Sequence, residues 1–295
     1  GGEGLPVVGV LGGISADRGI FSVEDRRAGW WPELAGPGLP LDPMRFRLLG
    51  IDWLGGSGTT TGPAAGQLDF PAVDARDQAR LIAAVADELG LAALHAIAGA
   101  SYGGMVALAF AALFPRRVQR LLVVSGAHRS NPLATAWRSV QREAVRFGVA
   151  RGDGAGGLRL ARALAMATYR SRAEFEERFA STPRFLGARA VFPVEDYLFA
   201  RGDDYAARYR PEAFVSLSQS IDLQRVDPAE VGVPTVMVAV VEDQLVTLED
   251  MRALAAGLAG PGRLIEIHSR FGHDAFLKER ATLAPAFALA LHGEP

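Results

Sequence analysis

Short apolar runs alternate with amphipathic segments along most of the chain. Residues 94–100 form an apolar run of strand length, and residues 73–89 before it carry apolar side chains at helical spacing. A strand, a helix and a strand in this order form a βαβ unit, and repetition of such units predicts a mainly parallel, doubly wound sheet. The same pattern predicts further strands at residues 5–11, 46–51, 118–124, 234–241 and 263–268.

The pattern changes between residues 130 and 225, where no strand is predicted. Five segments there have helical character, at residues 136–147, 158–169, 172–179, 194–209 and 211–221. A helical insertion after a sheet strand is typical of a lid over the carboxyl edge of the sheet, where substrate selection takes place. We therefore predict an α/β core over residues 1–129 and 226–295 and a helical lid over residues 130–225.

Composition and charge exclude several classes of protein. Hydrophobic residues make up 49% and charged residues 22%, which is ordinary globular usage. The net charge of −2 argues against a nucleic-acid surface, and the absence of cysteine removes disulfides and thiolate metal sites. No long uncharged apolar run predicts a membrane span, and the first residues lack the pattern of a signal peptide. A cytoplasmic protein is expected.

A G-x-S-x-G motif covers Gly99–Gly103, with an apolar strand before it and a helix after it. In that context the motif predicts a nucleophile elbow that exposes the hydroxyl of Ser101. The backbone N–H of Tyr102 is then expected to be one oxyanion-hole donor. The second donor is expected from the glycine loop after the first strand, at Gly12 or Gly13, which sequence does not separate.

A serine nucleophile needs a base, and the base needs an orienting acid. On this type of sheet the chain order is serine, acid, histidine. His273 follows the last predicted strand, whereas the other four histidines lie too early, within a strand or at the C-terminus (His95, His128, His268 and His292). Asp243, in the loop after the strand at 234–241, is predicted as the acid in preference to its neighbour Glu242.

Several short motifs follow one another along nearly the whole chain. They are Gly29-Trp30-Trp31, Leu54-Gly55-Gly56, Thr61-Gly62-Pro63, Gly99-Ala100-Ser101-Tyr102-Gly103-Gly104-Met105, Gln141-Arg142, Thr168-Tyr169-Arg170-Ser171, Asp243-Gln244-Leu245 and Gly272-His273-Asp274. With these motifs the chain resembles the homoserine O-acyltransferases of the α/β-hydrolase fold, of the acetyltransferase type found in methionine biosynthesis.

The resemblance implies that Ser101 takes an acyl group from acyl-CoA, the co-substrate, and passes it to the hydroxyl of L-homoserine. It implies that Arg170 and Asp274 bind the amino acid, although from the residues alone Arg170 would be a solvated charge and Asp274 a helix N-cap. It further implies no bound cofactor or metal and a homodimer formed through the lid helices. The acyl group, acetyl or succinyl, stays open.

Three further alternatives remain at this point. The amino acid could be L-serine instead of L-homoserine, and the same three residues could serve a carboxylic-ester hydrolase. A protein of this fold that only binds a ligand is a third, non-enzymatic alternative.

Overall fold

The computed structural model describes residues 2, 4–22, 24–25 and 28–292. The parts of the predicted core at residues 1, 3 and 293–295, and residues 23, 26 and 27 of an irregular loop, therefore lie outside the described residues. Within them the chain forms eight strands, β1 to β8, in chain order Val7–Leu11, Arg47–Leu49, Ala96–Ala100, Leu121–Val124, Arg184–Leu186, Arg189–Val191, Thr235–Val240 and Gly262–Ile267.

Six of these strands form one sheet in the order β2-β1-β3-β4-β7-β8, and every pairing between neighbours is parallel. Strand β1 lies between β2 and β3, and Leu11 of β1 is paired with Gly99 of β3. Parallel strands need crossover connections, and helices supply most of them. Three core helices connect strands, namely α1 (Ala75–Glu88), α2 (Tyr102–Leu113) and α8 (Leu248–Gly257), and a fourth, α9 (Arg280–His292), follows the last strand.

The sheet is buried on both faces, because successive side chains of a strand point to opposite sides. In β1, Val7 and Leu11 join one apolar cluster with α1, α2 and α8, whereas Val8 and Val10 join a second cluster with α9. This division explains why the central strands are continuous apolar runs in the sequence. The predicted doubly wound α/β sheet is confirmed.

Five helices and a hairpin lie between β4 and β7, and we call residues 130–225 the helical insertion. Its helices are α3 (Pro132–Val149), α4 (Gly154–Tyr169), α5 (Arg172–Phe179), α6 (Pro193–Ala206) and α7 (Pro211–Asp222). The prediction that this segment contains no strand is wrong, since β5 and β6 pair antiparallel in it. Each strand has three residues around a turn at Gly187, whose φ is +62°, so no apolar run marked them.

The chain after β8 forms two separate helical segments. A 3-10 helix spans Gly272–Leu277, and α9 starts only at Arg280. Gly272 has a φ of +54°, and a Cβ there would lie 2.7 Å from the carbonyl oxygen of Tyr169, so this turn sits tightly against the end of α4. None of the helices in the described residues has the length and hydropathy needed to cross a bilayer.

Candidate active site

Ser101 lies at the turn between β3 and α2, at the carboxyl edge of the sheet. Its backbone has φ 55° and ψ −121°, a region that side-chain-bearing residues rarely occupy. The motif glycines allow this turn, because a Cβ on Gly99 would overlap the carbonyl of Gly103 and one on Gly103 would overlap the carbonyl of Leu11. The strained turn points the Ser101 hydroxyl away from the strand and into a cavity.

The three residues predicted as a catalytic triad form one continuous line of hydrogen bonds. Ser101 Oγ lies 2.8 Å from His273 Nε2, and His273 Nδ1 lies 2.7 Å from Asp243 Oδ2. The other oxygen of Asp243 accepts hydrogen bonds from the backbone N–H groups of Leu245 and Val246, at 2.8 and 3.1 Å. With Nδ1 donating to Asp243, the free Nε2 of a neutral His273 can accept the proton of Ser101.

Glu242, the alternative acid, does not contact His273. Its carboxylate accepts a hydrogen bond from the backbone N–H of Ser269 and pairs with Nδ1 of His268, both at 2.8 Å. Of the two adjacent acids, the structure therefore brings only Asp243 to the candidate base.

The pKa of His273 lies above its ordinary value of 6.5, as the net result of two opposing effects. Burial lowers the pKa, because it disfavours the charged imidazolium, but the nearby carboxylates of Asp243 and Asp274 together raise it by more, Asp243 through both its charge and its hydrogen bond. Asp274 adds to the rise, and the positive charge of Arg138 opposes it. The imidazole is thus tuned to take up a proton readily near neutral pH.

The residues expected to form an oxyanion hole lie beside Ser101. Tyr102 and Gly13 both line the cavity, and a Cβ on Gly13 would be 4.0 Å from the Cβ of Ser101. Gly12 is placed differently, since its carbonyl accepts a hydrogen bond from the N–H of Gly103 at 2.9 Å and a Cβ there would be 3.0 Å from the indole of Trp30. Gly13 is therefore the glycine of this loop that faces the reacting centre.

Arg170 and Asp274, expected to bind the amino acid, contact each other. Nε of Arg170 lies 3.0 Å from Oδ2 of Asp274 without the alignment of a hydrogen bond, and Nη1 of Arg170 pairs with Glu174. Asp274 lines the cavity next to His273, whereas Arg170 lies behind Asp274 at the C-terminal end of α4. Neither residue fits its simpler interpretation: Arg170 is mostly buried, and the cap position of the 3-10 helix is occupied by Phe271.

The cavity in front of Ser101 has a volume of about 200 Å³, and both the α/β core and the helical insertion contribute to its wall. Three polar side chains of its wall, Arg138, Gln141 and Arg162, were not predicted as site residues. Arg138 and Gln141 are three residues apart on α3 and so share one face of that helix. The sequence shows that shared face, but only the packing of α3 shows that it faces Ser101.

A second cavity, of about 290 Å³, adjoins the first and shares Ser15, Ala16 and Arg162 with it. The guanidinium of Arg162 lies 5.1 Å from the ring centroid of Tyr169 and 4.8 Å from that of Tyr205, and it has no acidic partner among the described residues. The described ranges also contain no group of three or more histidine or acidic side chains that could hold a metal ion.

Comparison with protein families finds one match that covers most of the chain. A family model described as the alpha/beta hydrolase fold matches residues 10–279. Among solved structures, esterase E22 superposes with a TM-score of 0.84 at 20% identity, covering 96% of this chain and 89% of that one. A homoserine O-acetyltransferase from Bacillus anthracis superposes with a TM-score of 0.83 at 18% identity, covering 97% and 88%. At such identities these structures show the fold alone.

Curated relatives of known name are more similar in sequence. The chain is 48% identical to a homoserine O-succinyltransferase of Xanthomonas campestris pv. campestris, over 95% of this chain and 73% of that protein. It is 34% identical to a serine O-succinyltransferase of Litchfieldella anticariensis, over 90% and 83%, and 32% identical to a homoserine O-acetyltransferase of Clavibacter michiganensis, over 99% and 84%. All three relatives are O-acyltransferases of hydroxy amino acids by name.

Proposed function

The chain belongs to the homoserine O-acyltransferases of the α/β-hydrolase fold, and we propose that it transfers an acyl group from acyl-CoA to the hydroxyl of L-homoserine. One observation carries the proposal. The hydrogen-bonded line of Ser101, His273 and Asp243 opens into a cavity whose wall beside His273 is the carboxylate of Asp274. In this proposal Ser101 is the nucleophile, His273 is its base, and the carboxylate of Asp274 binds the ammonium group of the amino acid.

In the first half of the reaction Ser101 becomes acylated. His273 Nε2 accepts the hydroxyl proton while Oγ attacks the thioester carbonyl of acyl-CoA. The tetrahedral intermediate then collapses as the C–S bond breaks, and His273 gives its proton to the departing CoA thiolate. Asp243 holds the imidazole in the required tautomer and stabilises its transient positive charge.

In the second half the amino acid takes the acyl group. His273 accepts the proton of the homoserine hydroxyl, whose oxygen attacks the ester carbonyl on Ser101. As the ester bond to Oγ breaks, His273 returns the proton to Ser101, which regenerates the free enzyme. This half is the reverse of the first with an alcohol in place of a thiol, so the same base serves both.

The negative charge on the carbonyl oxygen needs donors that are already in place. We assign this role to the backbone N–H groups of Tyr102 and Gly13, because both residues line the cavity that contains Ser101. Gly13 is preferred over Gly12 because it lies next to the Cβ of Ser101.

The amino acid is expected to bind between Asp274 and Arg170. The Asp274 carboxylate suits its ammonium group, and the Arg170 guanidinium suits its carboxylate, since an arginine can grip a carboxylate through two parallel hydrogen bonds. In the free enzyme Arg170 contacts Asp274 at 3.0 Å and also pairs with Glu174. Binding of a zwitterion would exchange this contact for two new ones without a change in net charge.

The helical insertion acts as a lid in this proposal. Transfer requires the amino-acid hydroxyl to outcompete water for the acyl-enzyme, and an enclosed cavity helps by excluding solvent. Support comes from a contact between the insertion and the loop before His273, where the hydroxyl of Ser171 donates a hydrogen bond to the carbonyl of Arg270 at 2.6 Å.

For the donor, succinyl-CoA is supported by the 48% identity to a succinyltransferase, compared with 32% to an acetyltransferase. The adjoining cavity, with Arg162 and Arg208 in its wall, is the proposed place for part of the CoA. Cells hold acyl-CoA in their interior, so the proposal places the enzyme in the cytoplasm.

Product analysis tests the reaction. Purified protein is given succinyl-CoA or acetyl-CoA, each with L-homoserine, L-serine or neither, while thiol release is followed and products are identified by mass spectrometry. We expect O-succinylhomoserine in a one-to-one ratio with free CoA. Thiol release that ignores the amino acid and yields free acid would show an ester or thioester hydrolase, and a faster reaction with serine would change the acceptor.

Ser101→Ala is the matched control for this experiment. It removes the nucleophile and is expected to lower turnover by several orders of magnitude, as loss of a triad serine does elsewhere. Equal turnover by the variant and the wild type would contradict the acyl-enzyme mechanism and favour a protein that only binds its ligand.

We further propose a homodimer that forms through the helical insertion. Support comes from large apolar side chains that the insertion exposes to solvent, including Val140 and Phe147 on α3 and Phe185 and Leu186 on β5. Exposed apolar surface of this kind is typical of protein–protein contacts.

A further inference from the structure

The loop after β1, residues 12–16, is bonded at three consecutive positions by aromatic side chains. The contacts, at 3.0, 2.7 and 2.9 Å, join Gly13 to Trp53, Ile14 to Tyr209 and Ser15 to Tyr205. The indole N–H of Trp53 and the hydroxyl of Tyr209 donate to backbone carbonyls, and the third contact joins two hydroxyls. Three successive residues of one short loop are thus fixed by side chains from distant parts of the sequence.

The three aromatic side chains are themselves held in place. Trp53 is 2% exposed, and the side-chain amide of Gln78 on α1 bonds to both the N–H and the carbonyl of the next residue, Leu54. Tyr205 is buried, and its ring stacks on that of Tyr209 with the centroids 4.9 Å apart. Trp53 therefore holds the loop from the α/β core, while the two tyrosines hold it from the helical insertion.

These contacts orient the peptide groups on both sides of Gly13. The carbonyl of Gly12 accepts a hydrogen bond from the N–H of Gly103 at 2.9 Å, and in a trans peptide the N–H of Gly13 then points in the opposite direction. The following peptide is held through the carbonyl of Gly13, which accepts from Trp53 and, within the loop, from the N–H of Ala16 at 2.9 Å. The N–H of Gly13 itself donates to no acceptor in the described part of the chain. This donor is therefore fixed in direction and open to a ligand.

The turn within the loop is not enough to place that donor. The bond between Gly13 and Ala16 sets the shape of the loop but not its distance from the other proposed donor, the N–H of Tyr102. Trp53 supplies this link, because its ring packs against the ring of Tyr102 at an angle of 69° with the centroids 5.0 Å apart, while its N–H holds Gly13. One side chain thus contacts both residues to which the oxyanion hole is assigned.

We propose that Trp53, Tyr205 and Tyr209 are positioning residues of the oxyanion hole, which hold the N–H of Gly13 toward the place where the oxyanion forms on Ser101. This inference rests on the proposed acyl transfer and adds residues that act through the loop, without touching the substrate's reacting atoms. Donors stabilise a developing oxyanion only if they are already in place, and the loss of one donor lowers the rate by about 10²–10³-fold. A loop that loses one anchor keeps its donor but aims it less well, so a smaller loss is expected.

The same three side chains also line the adjoining cavity, which is proposed to take part of the CoA, so the test needs an acyl donor without CoA. p-Nitrophenyl acetate acylates an active serine and releases p-nitrophenol, and stopped-flow absorbance therefore measures the acylation step alone. Methylboronic acid is the second probe. It adds to a serine oxygen and gives a tetrahedral boronate that resembles the intermediate of acetyl transfer, so its inhibition constant reports the state of the oxyanion hole.

Tyr209→Phe and Tyr205→Phe each remove one hydroxyl without a change in ring shape. We expect the acylation rate with p-nitrophenyl acetate and kcat/KM for succinyl-CoA to fall by the same factor, roughly three- to tenfold, the effect of one hydrogen bond. The inhibition constant of methylboronic acid is expected to rise by that factor, while the inflection of the pH profile stays that of the wild type. Trp53→Phe, which keeps a ring beside Tyr102 but lacks the indole N–H, should behave likewise, with urea denaturation as the check on its folding.

Tyr197→Phe is the matched control. Tyr197 lies on α6, as Tyr205 does, but its ring packs against Phe175 and Phe179 of α5. Its acylation rate, kcat/KM and boronate inhibition constant should equal those of the wild type. If Tyr197→Phe loses as much activity as Tyr205→Phe, the effect belongs to the packing of the insertion in general, and the inference fails.

The other outcomes separate the inference from the proposed function. A loss with succinyl-CoA but not with p-nitrophenyl acetate would mean that these side chains bind CoA, and it would overturn the inference. Lower rates at an unchanged boronate inhibition constant would also overturn it, because the oxyanion hole would then be intact, and so would wild-type rates in all three variants. A wild type that p-nitrophenyl acetate acylates but that transfers nothing to homoserine refutes the proposed function alone, since the boronate constants of the variants still decide the inference. A wild type that is neither acylated nor active in transfer refutes both.

Discussion

His273 sets the pH dependence of the proposed reaction, because only its neutral form can accept the proton of Ser101. Its pKa lies above 6.5, since the carboxylates of Asp243 and Asp274 together raise it by more than burial lowers it. As the pH falls through that pKa, the imidazole is protonated and the base is lost. We therefore expect kcat/KM to be constant at alkaline pH and to fall tenfold per pH unit on the acid side, with an inflection above pH 6.5. An inflection below that value in initial-rate measurements would contradict the assignment.

Asp243 and Glu242 offer a matched pair of neighbouring acids. Asp243→Asn removes the charge that orients His273 and is expected to lower kcat by roughly 10⁴-fold, as in other serine triads. Glu242→Gln alters a carboxylate that contacts His268 and the Ser269 backbone, so kcat should change little. Steady-state rates with circular dichroism as a check on folding measure both, and similar losses in the two variants would remove Asp243 from its role.

Residue patterns predicted the chemistry of this site better than its specificity. Ser101, Asp243 and His273 were found by their order and by their places after three parallel strands, since the sheet brings those strand ends together. The structure joins these side chains by hydrogen bonds, and their catalytic roles stay a prediction. Arg138 was not singled out and Gln141 was quoted only as part of a matching segment, because polar side chains on a helix are normally solvated and only tertiary packing turns them towards a cavity.

At the scale of elements, the turn from β3 to α2 ties the nucleophile to the loop after β1. Gly103 donates its N–H to the carbonyl of Gly12 at 2.9 Å, and a Cβ at Gly103 would overlap the carbonyl of Leu11. The two loops therefore pack backbone against backbone. The Ser101 hydroxyl and the Gly13 backbone keep their relative position only while this contact holds.

Gly103→Ala should separate the two loops. We expect a loss of about 2–3 kcal/mol in the free energy of unfolding, because the added methyl group has no space, together with a large loss of activity. Gly232→Ala is the control, since a Cβ there meets nothing within 4 Å, and its stability should change by less than about 1 kcal/mol. Urea denaturation measures both variants, and a Gly103→Ala protein as stable as the control would refute the close packing.

Elements with strong local signals were predicted well, and those made by packing were not. The strand at 234–241 and the helix at 211–221 appear as Thr235–Val240 and Pro211–Asp222. The hairpin of β5 and β6 and the 3-10 turn at Gly272–Leu277 were missed. Their residues lack apolar periodicity, and their conformations depend on Gly187 and Gly272 adopting positive φ.

At the scale of the whole molecule, loops at the carboxyl ends of the sheet strands supply the candidate triad, and the core and the helical insertion together form the cavity wall. The predicted α/β-hydrolase fold and the membership in the acyltransferase family are confirmed. The boundaries of the two predicted domains, the action of the insertion as a lid and the dimer stay predictions. A single chain carries no pattern that reports which of its apolar surfaces meets a second copy.

The dimer can be tested at Phe185 and Leu186, the exposed apolar residues of β5 in the helical insertion. We expect light scattering after gel filtration to give twice the mass of 31.3 kDa for the wild type. Phe185→Ser with Leu186→Ser, at side chains 69% and 62% exposed, should yield monomers. Met44→Ser, at a 76% exposed apolar residue outside the insertion, should remain a dimer. A monomeric wild type at micromolar concentration would end this proposal.

The stacked pair of Trp30 and Trp31 gives the cavity its own optical signal. The ring centroids of the two indoles lie 4.6 Å apart, and the indole N–H of Trp31 donates a hydrogen bond to the carbonyl of Phe276. Trp30 lines the cavity, and its N–H is buried without a partner among the described residues. A ligand that enters the cavity alters the surroundings of Trp30, which is one of the four tryptophans of the chain, so tryptophan emission should change on binding. In a Ser101→Ala protein, where turnover is blocked, fluorescence titration can then measure the affinities for acyl donor and amino acid separately, without any chemistry.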